Sequence, residues 1–196
     1  MIKNLIFDIG NVITTEVNAA AFDNLSQAQQ EELSNLAIYK NDNFIKTLLG
    51  HLTVEDCKNR LVAQYPQYQK EIQELFDENM QDRFLPKKPE MIELLYNLRS
   101  HYKIFFLSDM IETTYRYLKD LLDDFDGGVY SYQEHLKKPD EKVFEVLLQR
   151  YGLKPEECLF FDDKQRNVDA ARKLGLRAEV FLNKETVTST LRELES

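Results

Sequence analysis

The sequence predicts an α/β fold: a doubly wound, mostly parallel, Rossmann-like sheet carrying an inserted helical subdomain. Three observations predict it. Five short apolar runs recur along the chain, several of them continuously apolar, as strands buried on both faces are. Amphipathic helical segments separate the later runs, the alternation that builds parallel sheets. The first interval is far longer than the rest: roughly ninety residues lie between the first run and the second, whereas one crossover needs only about a dozen.

The first run is Leu5-Ile6-Phe7 and the second is Ile104-Phe105-Phe106-Leu107. Val129-Tyr130, Leu159-Phe160-Phe161 and Val180-Phe181-Leu182 complete the set. Glu90–Ser100 places Met91, Leu94, Leu95 and Leu98 on one stripe, and so supplies the crossover helix after the long interval. Glu141–Tyr151 does the same with Val143, Val146, Leu147 and Tyr151, with Phe144 beside them. Asn167–Leu174 is helical and stops at Gly175. The remaining stretch, Thr14–Leu85, has helical periodicity at Leu33, Leu36 and Ala37, and again at Ile72, Leu75, Phe76 and Met80. Thr53 with Asp56 reads as an N-cap opening a helix toward Ala63. Pro86 and Pro89 mark the return to the sheet. The expected division is a core of residues 1–13 and 86–196 and a helical insertion of residues 14–85.

Bulk properties narrow the function. The chain has 196 residues, 43% of them hydrophobic, enough for a real core. A net charge of −9 argues against a nucleic-acid partner, which needs a basic face. Cys57 and Cys158 fit no metal-type spacing and read as buried thiols in a reducing compartment. The apolar run in MIKNLIFDIG is too short for a signal peptide, and no segment is long enough to span a bilayer. A cytoplasmic chain without membrane contact is expected.

The chemistry sits at the strand ends. Asp8 follows Ile6-Phe7, and Asp162-Asp163 follow Phe160-Phe161. Parallel strands open their C-termini on one edge, where ligands bind, so three carboxylates should converge there. Carboxylates alone suit a hard cation such as magnesium. None of the three histidines lies in these motifs, which disfavours zinc or iron. The plainer reading is that each Asp caps the helix after it. Ser108 ends the second run and is either an anion-binding hydroxyl or an N-cap. Lys138, before Pro139, either reaches a phosphate at the same edge or is solvated.

Taken in order, the motifs resemble those of the haloacid dehalogenase superfamily. They are Asp8-Ile9-Gly10-Asn11-Val12, Ser108, Lys138-Pro139, Phe161-Asp162-Asp163 with Asn167, and the run Asp169–Gly175. The similarity is greatest to the bacterial sugar-phosphatase-like branch with an α-helical cap, and it covers nearly the whole chain. The resemblance implies a magnesium-dependent phosphatase acting on a small phosphorylated metabolite through an aspartyl-phosphate intermediate. It implies Asp8 as nucleophile, and Ser108 and Lys138 as the phosphate-binding second and third motifs. It implies Asp163 as the main magnesium ligand, Asp162 as a partner ligand or a supporting group, and Asp8 and the Gly10 carbonyl as further ligands. Asn167 stands where a second acid is common, and Asn11 and Asp109 flank the phosphate.

Two positions depart from the wider family. Gly10 stands where most such phosphatases carry an acid–base Asp, although the resembling branch shares this Gly. Asp109 stands where that branch commonly has Asn, and must be protonated or turned away from a phosphate. In the insertion, His51 beside Gly50 is a candidate substrate contact or an exposed turn residue. Tyr65, Tyr68, Tyr115, Tyr117, Tyr130 and Tyr132 are sugar-stacking or packing residues. A sugar 1-phosphate is the favoured substrate, because a hemiacetal oxygen leaves without much help from an acid. The other readings are a haloacid dehalogenase-type hydrolase and a non-catalytic phosphate-binding protein of the same fold. A phosphomutase, which relies on the missing Asp, ranks below them.

Overall fold

The computed structural model describes residues 1–17, 22–34 and 41–195. Leu36 and Ala37, part of the expected periodicity, lie outside the described residues.

The chain opens with β1 (Asn4–Phe7) and enters a helical region. Its helices are α1 (Gln27–Leu33), α2 (Asp42–Leu48), α3 (Val54–Gln64), α4 (Gln69–Leu75) and α5 (Gln81–Phe84). Then come α6 (Pro89–Leu98), β2 (Lys103–Ser108), α7 (Glu112–Asp123), β3 (Gly127–Tyr130), α8 (Ser131–Glu134) and α9 (Glu141–Tyr151). The last elements are β4 (Cys158–Asp162), α10 (Gln165–Lys173), β5 (Arg177–Val180) and α11 (Lys184–Glu195). No helix among the described residues is long and apolar enough to cross a membrane.

The five strands form one parallel sheet of order β3-β2-β1-β4-β5. The chain winds outward from β1 through β2 to β3, then returns to the other side of β1 for β4 and β5. The winding reverses at β1, and a crevice opens at the carboxyl end of the strand where it does.

Alternate residues of each strand feed opposite layers. Leu5, Phe7, Ile104, Phe106, Leu159 and Phe161 pack with Met91, Leu94 and Leu95 of α6, Leu118 and Leu122 of α7, and Val187 and Leu191 of α11. Ile6, Phe105, Leu107, Val129 and Phe160 pack with Val143, Phe144 and Leu147 of α9 and with Val168 and Ala171 of α10. Two-sided burial is why these strands read as unbroken apolar runs.

The helices between β1 and α6 have their own core of Phe22, Leu33, Cys57, Leu61, Ile72 and Phe84, which also takes in Ile111 from the sheet edge. Thr53 caps α3 by accepting from the Asp56 N–H at 3.0 Å, as expected. An antiparallel bridge, Thr14 to Lys87, ties the entry of the helical region to its exit. Two bonds seat α2 over the sheet: the Ser131 hydroxyl donates to the Leu48 carbonyl at 2.6 Å, and His135 Nδ1 donates to the Leu49 carbonyl at 2.7 Å.

The fifth strand differs from expectation. Strand pairing covers Arg177–Val180 rather than Val180–Leu182. After the Phe181 N–H donates to the Asp162 carbonyl, the chain leaves the sheet, and Leu182 is 79% exposed. The apolar triplet marks where the edge strand ends, whereas the paired residues alternate charged and small. Helices α7 and α11 were not read from the sequence. The face of α7 is filled partly by Tyr115 and Tyr117, whose mixed character blurs the helical stripe.

Candidate active site

Asp8, Ser108 and Asp162 arrive at one edge because β1 pairs in register with both neighbours: Phe7 lies level with Phe106 and with Phe161. The Asp8 N–H continues the ladder by donating to the Phe161 carbonyl at 2.9 Å. The chain then turns sharply, with the N–H groups of Ile13 and Thr14 both donating to the Ile9 carbonyl. Asn11 takes a left-handed φ of 59° in that turn, a conformation Asn tolerates better than most residues.

Lys138 joins the two acidic strand ends. Its Nζ lies 2.8 Å from Asp8 Oδ1, 2.7 Å from Asp162 Oδ2 and 3.0 Å from the Leu107 carbonyl. Those three partners use all three ammonium hydrogens. Lys138 is therefore not solvated; it is 3% exposed. Asp8 Oδ1 also accepts from the Ile9 N–H at 2.7 Å and from the Ser108 hydroxyl at 2.9 Å. Ser108 is not an N-cap, since α7 starts after Ile111 with no side-chain cap.

The two adjacent aspartates are used differently. Asp162 is fully buried and saturated, accepting from Lys138, the Lys164 N–H and the Asn167 amide. Asp163 Oδ2 accepts from the Asn11 amide at 3.3 Å. Its Oδ1 is buried without a hydrogen-bond partner, and the nearest cation, Lys164 Nζ, stands off at 3.9 Å. Neither residue caps α10 with its side chain in the usual way, because the N-cap there is Lys164. Ligand atoms of Asp8, Asp162 and Asp163 lie within 4.8 Å of one another, so the group could hold a metal ion.

The electrostatics are short of positive charge. Burial, together with the nearby Asp162, pushes the Asp8 carboxyl well above the ordinary carboxylate range, although Lys138 pulls it back. Burial disfavours the Lys138 ammonium, but Asp8, Asp162 and Asp109 more than offset that and raise its pKa. One buried cation thus serves several buried carboxylates. A buried acceptor left unpaired beside them is costly. A divalent cation bound by oxygen ligands would satisfy both deficits.

Asp109 lines the cavity beside Ser108. One of its oxygens accepts the Lys138 backbone N–H at 3.0 Å, and burial raises its pKa. Asn11 positions Asp163 with its side chain, while its carbonyl accepts from Lys88 Nζ at 2.6 Å. Lys88 was missed: it lies in the return loop far along the chain, with no local motif to mark it. His51 is not among the residues lining the site. It is exposed and stacks on His135 with ring centroids 5.0 Å apart. The six candidate tyrosines are also absent from the lining.

A cavity of about 280 Å³ stands over Ser108 and Lys138. The sheet edge contributes Ile9, Gly10, Ser108, Asp109 and Lys138, and the loops add Lys137, Lys164 and Arg166. Thr14, Thr15 and the apolar residues of α2 complete it. Lys164 and Arg166 lie one and three residues beyond Asp163, so the motif itself could have flagged them.

The family model for haloacid dehalogenase-like hydrolases matches residues 2–175, which include every motif residue above. The chain belongs to that family. Among curated relatives, a sesquiterpene phosphatase, astK of Aspergillus oryzae, is 26% identical over 179 residues, covering 89% of this chain and 87% of its own. A drimenol cyclase, drtB of Aspergillus calidoustus, is 26% identical over 97% of this chain, but the chain spans only 36% of that protein's length. A haloacid dehalogenase family enzyme of Bacteroides thetaiotaomicron, crystallised with magnesium and inorganic phosphate, superposes with a TM-score of 0.76. It is 21% identical, with 94% of this chain and 96% of that one covered. The L-2-haloacid dehalogenase of Xanthobacter autotrophicus superposes with a TM-score of 0.66 at 18% identity, covering 100% of this chain and 83% of that one. These likenesses establish the haloacid dehalogenase fold.

Proposed function

We propose that this chain is a magnesium-dependent phosphatase that uses Asp8 as its nucleophile and acts on a small phosphorylated metabolite. The observation that carries the reading is the buried, unpartnered Asp163 Oδ1 beside an Asp8 already held by Lys138 and Ser108. Asp163 and Asp8 would hold the cation together with the Gly10 carbonyl, with Asp162 behind them keeping Lys138 and Asn167 in place. When bound, it supplies charge neutralisation at the phosphoryl oxygens. The magnesium and phosphate bound to the Bacteroides enzyme, and the phosphatase name of the Aspergillus oryzae relative, support the same reading.

In this reading an Asp8 carboxylate oxygen attacks phosphorus. The P–O bond to the alcohol breaks, and the alcohol oxygen leaves with the electron pair. Water then attacks phosphorus in the aspartyl phosphate, releasing inorganic phosphate and restoring Asp8. Lys138 holds Asp8 in place and offsets the repulsion between its carboxylate and the incoming dianion. The Ser108 hydroxyl is free to turn from Asp8 to a phosphoryl oxygen. Residues 14–85 act as the cap, a role supported by their separate core and by α2 standing over the cavity. The buried thiols Cys57 and Cys158 support a reducing, cytoplasmic setting.

Purified protein should hydrolyse 4-nitrophenyl phosphate with magnesium and lose that activity in excess chelator. Full activity in chelator would overturn the reading. Halide release from a haloacid without magnesium would instead favour dehalogenation, in which Asp8 attacks carbon and the Asp163 oxygen needs no cation.

Because Asp162 is saturated and Asp163 is not, the two should separate on substitution. Asp163→Ala is expected to raise the magnesium concentration for half-maximal activity by more than about 100-fold, beyond what losing an outer-shell partner costs. Asp162→Ala should mainly lower the melting temperature, by leaving Lys138 with one carboxylate fewer. Magnesium titrations and melting curves of the two variants, showing the reverse order, would exchange the roles.

Gly10 bears on the leaving group. A Cβ added there meets nothing within 4 Å, so the loop admits a side chain. Gly10→Asp is expected to raise kcat/KM for alkyl phosphates by up to about 10²-fold while leaving aryl phosphates little changed, since a positioned acid assists poor leaving groups most. Equal effects on both would remove Gly10 from the chemistry. The same argument favours esters whose oxygen leaves readily.

A further inference from the structure

The cavity has two unlike sides. Toward the sheet edge it presents Ser108, Lys138 and the backbone turn after Asp8. Toward the helical region it presents hydrocarbon: Val17, Phe44, Ile45, Leu48, Leu85 and Ile111. Phe44, Ile45 and Leu48 share one face of α2 and are only half-buried, so this helix turns an apolar face to the cavity rather than wholly into its own core. The Ser131 and His135 bonds to the end of α2 hold that face in position.

The polar groups on that side are already engaged. Thr14 donates its hydroxyl to the Thr15 carbonyl at 3.0 Å, Thr15 donates to the Glu16 carbonyl at 3.0 Å, and Thr114 donates to Gln81 Oε1 at 3.4 Å. Glu16 lies exposed. A sugar would bring several hydroxyl groups against this wall, and each one buried without a partner is penalised. A hydrocarbon chain gains from the same burial.

Building on the phosphatase reading above, we infer that the substrate carries its phosphoryl group on a hydrophobic chain, which lies against the α2 face while the phosphorus sits at Asp8. This departs from the sugar 1-phosphate expected from the sequence. Gly10 poses a constraint, because a simple alkoxide leaves poorly without an acid. The terminal phosphoryl of an alkyl diphosphate meets it: the P–O–P bond breaks and the departing group is a phosphate monoester, a stable anion. Lys137, Lys164 and Arg166 line the same cavity and match a second phosphate. Alkyl monophosphates and diphosphates share the hydrophobic chain, and assays distinguish them.

The test uses the full chain with magnesium and measures kcat/KM for ethyl, butyl, hexyl and octyl phosphates, the matching diphosphates, and glucose 1- and 6-phosphates. In at least one alkyl series, kcat/KM is expected to rise about fourfold per added methylene until the wall is covered. The diphosphate series should be the faster one if Gly10 limits the leaving group. In Ile45→Gln, the octyl-to-ethyl ratio should fall by about fivefold or more, a comparison within one protein that loss of active material does not alter. A flat dependence on chain length in both series, or glucose phosphates outrunning octyl substrates, would overturn the inference. Turnover of 4-nitrophenyl phosphate reports on the phosphatase reading separately. If no ester is turned over, calorimetric binding of octylphosphonate against ethylphosphonate still decides the matter: tighter octyl binding upholds the hydrophobic wall, and equal binding overturns it.

Discussion

Asp8→Asn is expected to lower kcat on an activated aryl phosphate by about 10⁴-fold or more, the scale seen when a covalent nucleophile is removed. The amide keeps the size of the carboxylate but not its nucleophilicity. The fold should survive. The substituted side chain can still accept from Ser108 and from the Ile9 N–H through its amide oxygen, and Lys138 keeps its bond to Asp162. Replacing a buried carboxylate by a neutral amide also removes the desolvation cost that raises the Asp8 pKa. The measurement is kcat together with the melting temperature. A variant with near-normal turnover would make Asp8 a structural residue. An inactive variant that still binds phosphate and magnesium would locate its role in the chemical step.

Lys138→Met is expected to destabilise the magnesium-free protein by about 3–5 kcal/mol, the cost of stripping one partner from a buried ionic cluster. For a chain of this size that is a fall in Tm of roughly 6–20 °C. Methionine fills the space of the lysine stem but leaves Asp8 and Asp162 facing each other without the cation between them. The loss should depend on pH. The Asp8 carboxyl is already raised in the folded state by burial, and Lys138 is what lowers it, so removing Lys138 raises it further. A carboxyl with a raised folded pKa favours folding below its unfolded value and loses that contribution as pH rises through the folded value. The unfolded titration is common to both proteins and cancels, so the deficit of the variant relative to wild type should grow as pH rises through about 7, where wild-type Asp8 gives up its proton and the variant keeps it. Melting curves in chelator at pH 5 and pH 8 test this. Adding Asp162→Asn should recover part of the stability by removing one uncompensated charge. Equal deficits at both pH values would mean the lysine acts through packing alone.

The acidic strand ends were legible because they depend on local pattern. Apolar triplets closed by Asp or Ser at Asp8, Ser108 and Asp162 mark parallel strands, and parallel strands share one open edge. The length of the first interval located the helical region, and the helix stripes at Met91–Leu98 and Val143–Tyr151 followed from 3.6-residue periodicity. The end of β5 was misjudged because an edge strand, covered on fewer sides, does not need the continuous apolar run that identifies a central one.

The sequence by itself determined the central strands, helices α6, α9 and α10, and the acidic residues that meet beside Asp8, since periodicity and the parallel register leave little choice about which ends of which strands converge. The tertiary structure decided how those residues divide the work. Adjacent Asp162 and Asp163 are chemically identical, and only the arrival of Lys138 and Asn167 at one and Asn11 at the other saturates the first and leaves an oxygen of the second unpaired. The hydrocarbon wall of α2 and the seating of His51 against His135 were likewise invisible. A side chain's surroundings come from contacts between segments distant in the chain, and no local pattern records which face of a short helix turns to a cavity and which to its own core.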